Sequence, residues 1–107
     1  MSYKLFLDDE RYPADTTSDG ETSWIIARNY AEFLKCIGTH GMPAFISFDH
    51  DLGEGKDGYD CAKWLGDFSI DCDLDLPDFY VHSQNPIGAA SINGYLNCLK
   101  RFRKENR

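Results

Sequence analysis

Three short apolar runs in this chain each stop at residues able to do chemistry. Phe45-Ile46-Ser47-Phe48 ends in Asp49-His50-Asp51-Leu52-Gly53. Tyr3-Lys4-Leu5-Phe6-Leu7 ends in Asp8-Asp9-Glu10-Arg11, and Phe79-Tyr80-Val81 ends in His82-Ser83-Gln84-Asn85-Pro86. A short apolar run closed by an acid and Gly reads as a buried parallel strand. In an open α/β sheet, ligands bind outside the carboxyl ends of the strands. Three such ends therefore point to one shared site.

The segments between them supply the rest of an α/β pattern. Residues 12–23 carry Pro13, Gly20 and many Thr, Ser and Asp, which predicts a loop, and Trp24–Ala27 predicts a second strand. Asn29 with Glu32 three residues on marks a helix start, and Tyr30, Phe33, Leu34 and Ile37 recur at helical spacing. That helix is expected to end near Gly38 or Gly41, before a central strand at about 44–48. Residues 53–58 read as a polar loop, and Cys61, Ala62, Leu65 and Phe68 mark a second helix with Trp64 on its flank. After an acidic loop from Asp71 to Asp78, the last strand falls at 79–82. Pro86, capped by Asn85, starts a helix whose apolar stripe is Ile92, Tyr95, Leu96, Leu99 and Phe102. Alternation with right-handed crossovers predicts a small parallel sheet of four strands, in the order 2-1-3-4, flanked by helices. Strands one and three are then neighbours, which brings Asp8 and Asp9 close to Asp49 and Asp51.

Composition bounds the partners. At 107 residues with 42% apolar residues, one folded domain over 1–107 is expected. A net charge of −7 argues against duplex nucleic acid, whose backbone is bound by basic surface. No run is long and apolar enough to span a membrane, and a cytoplasmic location is the default expectation. The sequence leaves the oligomeric state open. Cys36, Cys61, Cys72 and Cys98 form no Cys-x-x-Cys pair, so reduced, mostly buried thiols are expected.

Each candidate residue has a plain structural reading beside the functional one. A lone Asp-Asp at a strand end is commonly a solvated turn. Asp8, Asp9 and Asp49 on adjacent strand ends would instead repel one another, so a proton or a cation must sit among them. Clustered oxygen ligands suit Mg²⁺ or Mn²⁺, with Asp51 nearby. His50 and His82 terminate neighbouring strands and could serve as general acid and base, or as ligands. Asn85 explains Asn-Pro as a cap alone; with Ser83 and free backbone N–H groups before the helix, it also makes a phosphate site. Arg11 could neutralise the acids or clamp a phosphate. Arg28 has the same two readings, with the structural one favoured. Gly88 leaves room for a ligand.

These residues resemble the acidic pocket of response-regulator receiver domains: Asp8-Asp9 match the metal-binding acid pair, Asp49 the phosphoacceptor and Ser83 the hydroxyl. The Met-Pro that follows the phosphoacceptor there is missing, as is the final strand with its Lys. The set Leu5-Phe6-Leu7-Asp8-Asp9-Glu10-Arg11 with Pro13, Phe48-Asp49-His50-Asp51-Leu52-Gly53, and His82-Ser83 with Asn85-Pro86 is similar to a divergent branch, the cyclic-phosphate processing receiver domains. The resemblance implies a three-layer, flavodoxin-like α/β domain without the fifth strand. It also implies a metal-dependent phosphoesterase acting on a small phosphorylated ligand, a cyclic nucleotide or a 2′,3′-cyclic end, in phage–bacterium conflict. The alternative is a non-catalytic module that binds a nucleotide or takes up a phosphoryl group.

Overall fold

The computed structural model describes residues 3–13 and 24–105. Four parallel strands, β1 (Lys4–Leu7), β2 (Trp24–Ala27), β3 (Phe45–Phe48) and β4 (Asp78–Val81), lie in the order β2-β1-β3-β4. Helices α1 (Tyr30–His40), α2 (Gly58–Asp71) and α3 (Pro86–Glu105) follow β2, β3 and β4. Among the described residues, strand order and helix count are those the sequence pattern predicts. Strand β4 sits one residue earlier than expected, because Asp78 pairs with Phe45 and leaves His82 just beyond the ladder. Most of the loop expected over 12–23 lies outside the described residues.

Local chemistry sets the helix ends. The Asn29 side chain accepts the Glu32 N–H, and Gly41, at φ 85°, closes α1 by donating to the Ile37 carbonyl. Asp57 and Asp60 form a reciprocal capping box at the start of α2. The Asn85 side chain accepts the Gly88 N–H at 3.0 Å and caps α3.

Register puts Leu5, Ile25, Ile46 and Phe79 in one row, and Leu7, Ala27, Phe48 and Val81 in another on the same face. That face meets Phe33 and Ile37 of α1, Cys61, Ala62 and Leu65 of α2, and Ile92 and Leu96 of α3 in one core. The described helices thus pack on a single face, and the described residues build two of the three expected layers. Phe6 is buried but lies outside this core, because the pleat turns it to the other face. Two expectations are corrected. Cys72 and Cys98 are exposed, so only Cys36 and Cys61 are buried thiols. Phe102 is 56% exposed because α3 runs past the sheet at its C-terminal end.

Candidate active site at the carboxyl edge of the sheet

Strands β1 and β3 are neighbours whose following connections run to opposite sides, β1 toward β2 and β3 toward β4. The crevice at such a switch point is where open α/β sheets bind ligands. Asp8 and Asp49 leave the sheet there side by side. The Asp8 N–H donates to the Ala27 carbonyl at 3.1 Å, and the Asp49 N–H to the Leu7 carbonyl at 2.9 Å. Both side chains are buried.

Asp8 is held by four donors. Its Oδ1 accepts the backbone N–H groups of Glu10 at 2.9 Å and Arg11 at 2.8 Å. Its Oδ2 accepts Arg11 Nε and His82 Nε2, each at 2.9 Å. Burial pushes this carboxyl up, but the N–H groups of Arg11 and Glu10, the His82 ring and the Arg11 charge together hold it below the ordinary range. An ionised carboxylate only accepts, so His82 donates through Nε2. The other ring nitrogen, Nδ1, pairs with the Ser47 hydroxyl at 2.7 Å. Phe6 stacks on the same ring, 4.7 Å between centroids and 2° from parallel.

Asp49 differs. Among the described residues its carboxylate accepts no hydrogen bond, and its charged neighbour is Arg11, 3.7 Å away. One ligand atom from each of Asp8, Asp49 and His82 lies within 4.8 Å of the others. Asp9 and Asp51, also expected among the acids, are exposed and line the pocket outside this cluster, together with Glu10, Arg11, Asp49 and Gln84. The pocket measures about 360 Å³.

His50 sits apart from His82 and is tied to the neighbouring loop. Its Nδ1 lies 2.9 Å from Asp51 Oδ1 and its Nε2 3.2 Å from Asp57 Oδ2. The His50 hydrogen bond holds the Asp51 carboxyl below its ordinary range, with Asn85 assisting. The space at Gly88 belongs to this ring rather than to a ligand: a Cβ there would stand 2.3 Å from His50 Cγ. Ser83 Oγ accepts the Asn85 N–H at 3.1 Å, and Asn85 Nδ2 reaches Asp51 at 3.4 Å. Arg28 braces the β1 turn, with Nη1 donating to the carbonyls of Arg11 at 2.7 Å and Asp8 at 3.1 Å.

Nothing in the sequence alone marks Ser47, Asp57 or Phe6 as a site residue. Ser47 reads as a small residue inside a strand, and Asp57 as part of a polar loop. Strand alternation was the one available signal for Phe6 and Ser47, since both share the face onto which His82 projects.

No curated protein matches the chain significantly. Among solved structures, the N-terminal domain of a response regulator/sensory box/GGDEF 3-domain protein from Carboxydothermus hydrogenoformans is similar, with a TM-score of 0.57 and 19% identity over 98% of both chains. A fusion carrying a yeast Spc42 trimeric coiled-coil segment reaches a TM-score of 0.59 at 19% identity, over 98% of this chain and 83% of its own. At such identities the likeness speaks for the receiver fold alone. The sequence profile of the cyclic-phosphate processing receiver domain covers residues 3–98. With its order 2-1-3-4, its acids at the β1/β3 crevice and that match over most of its length, the chain belongs to the cyclic-phosphate processing receiver domain family.

Proposed function

We propose that this domain is a metal-dependent phosphoesterase that opens a cyclic phosphate. The observation that carries the reading is the Asp8–Asp49–His82 cluster, in which a buried carboxylate keeps unfilled acceptor capacity beside a second carboxylate and an imidazole. Two carboxylates and an imidazole within reach of one ion form a donor set that Mn²⁺ or Mg²⁺ accepts. Arg11 now supplies the positive charge between the acids. Asp8, Asp49 and His82 would hold the cation, with Asp9 and Asp51 at the rim. Once bound, it would supply a water of lowered pKa and offset charge on the phosphate.

The chain's own groups do the rest. Arg11, released from the acids, presents its guanidinium to the non-bridging oxygens in the pocket it lines. Ser83, Asn85 and the N-terminal end of α3 stand beside Asp51 and favour negative charge there. Water attacks phosphorus, the ring P–O bond breaks as the leaving alkoxide takes a proton from His50, and the proton shed by the attacking water returns to the His50–Asp51 pair. His82 meets Asp8 through Nε2 in the metal-free site; as a ligand it would give that nitrogen, without its proton, to the cation.

The test is turnover of 2′,3′-cyclic, 3′,5′-cyclic and cyclic oligonucleotide substrates with and without Mn²⁺ or Mg²⁺. Metal-dependent ring opening, lost in Asp49→Asn, is expected; no turnover of any substrate at high protein concentration removes the reading. The unbonded Asp49 carboxylate also favours a second reading, a phosphoacceptor. Intact mass after incubation with Mg²⁺ and a small phosphodonor separates the two: one retained phosphoryl group without turnover supports the second.

A further inference from the structure

The sheet face opposite the helices carries an aromatic array that the chemistry above does not use. Phe6 stacks on His82 and meets Trp24 edge-on at 5.7 Å, and Trp24 meets Phe45 edge-on at 6.1 Å. Lys4 Nζ lies over the Trp24 and Phe45 rings. At the end of this array a cavity of about 280 Å³ is lined by Phe6, Arg11, Tyr12 and His82. Tyr12 is 70% exposed, which core packing does not require of so large a ring. It is nonetheless held in place: the Arg28 guanidinium stands 4.7 Å from its centroid. Arg28 is itself fixed by the carbonyls of Asp8 and Arg11.

Two of these residues join the cavity to the acidic crevice. Arg11 lines both spaces. His82 presents a ring edge to Asp8 while its ring also borders the cavity. A ligand with a phosphate at Arg11 would therefore carry its next group into a space walled by two aromatic rings, an imidazole and a guanidinium. Flat π-systems and guanidinium planes are the surfaces on which bases stack.

We infer that the Phe6–Arg11–Tyr12–His82 cavity is the seat of a nucleobase, so that the ligand at this site is a mononucleotide rather than a cyclic phosphate without a base. The inference rests on the phosphate reading above, and it is tested by equilibrium binding so that the two fail separately. Affinity of Mn²⁺-loaded protein for a 3′,5′-cyclic nucleotide, for glycerol 1,2-cyclic phosphate and for inorganic phosphate is measured by calorimetry, in the parent, Tyr12→Ala and Tyr12→Phe. The nucleotide is expected to bind at least tenfold tighter than the two base-free phosphates. Tyr12→Ala should weaken the nucleotide alone, by about 5- to 150-fold, the worth of one base–aromatic stack. Tyr12→Phe, which keeps the ring, should restore it. A nucleotide that binds no tighter than glycerol cyclic phosphate, or that ignores Tyr12→Ala, overturns the base seat even if turnover is found. Tight, Tyr12-dependent nucleotide binding without turnover upholds the seat and removes the enzyme.

Discussion

Gly88→Ala tests the packing that seats His50. An ideal Cβ on Gly88 would stand 2.3 Å from His50 Cγ, 2.5 Å from Cδ2 and 2.6 Å from Nδ1. Carbon atoms rest at about 3.5–4.0 Å, so the ring must retreat by roughly 1 Å or more, or the first turn of α3 must shift. Either movement lengthens the contacts to Asp51, now 2.9 Å, and to Asp57, now 3.2 Å. Overpacking of this kind costs about 1–3 kcal/mol. Ala is better than Gly in a helix by up to about 1 kcal/mol, which offsets part of that cost. A net loss of about 1–2 kcal/mol is expected. In the His50→Ala background the ring is gone, and the same substitution should be neutral or stabilising. Urea unfolding of the four proteins closes a double-mutant cycle, in which a coupling of at least about 1 kcal/mol is expected. Equal cost in both backgrounds would refute the claim that Gly88 exists to seat His50. A ring resonance of His50 unmoved by Gly88→Ala would do so independently.

Three further outcomes follow from the same packing. A Cβ at Gly58 would meet the Asp49 carbonyl oxygen at 2.0 Å, where no flexible side chain can give way. Gly58→Ala should therefore cost at least ~3 kcal/mol, a fall of more than about 12 °C in thermal melting, and an unchanged melt contradicts this. Asp8 is depressed below its ordinary value of 3.8, so its contribution is present above that pH and is lost as pH falls through the lower folded value. Urea unfolding between pH 2 and about 6 should show the parent losing stability more steeply than Asp8→Asn below about pH 4; parallel curves refute the linkage. Ser47→Ala removes the partner of His82 Nδ1 at 2.7 Å. It should lower stability by about 1 kcal/mol and weaken Mn²⁺ binding by about 10-fold, read by calorimetry, because the imidazole loses the bond that orients it.

The elements were legible because their causes are local. Asn29 with Glu32 and Asn85 with Pro86 name helix starts within four residues, and each caps as its spacing predicts. The apolar runs name strands, and their alternation with helices is that of a doubly wound sheet, whose order 2-1-3-4 the structure shows. That order alone brings Asp8 to Asp49, since both follow adjacent strands. The side-chain pairings were not legible, because they join residues that only the packed chain makes neighbours. His82 reaches Asp8 across 74 positions and Ser47 across 35. Gly88 reads in sequence as room for a ligand, yet the fold fills that room with His50. Patterns of period two and 3.6 record which face of an element is apolar. They carry no record of which polar group on another element a ring nitrogen will meet, and that choice belongs to three-dimensional packing alone.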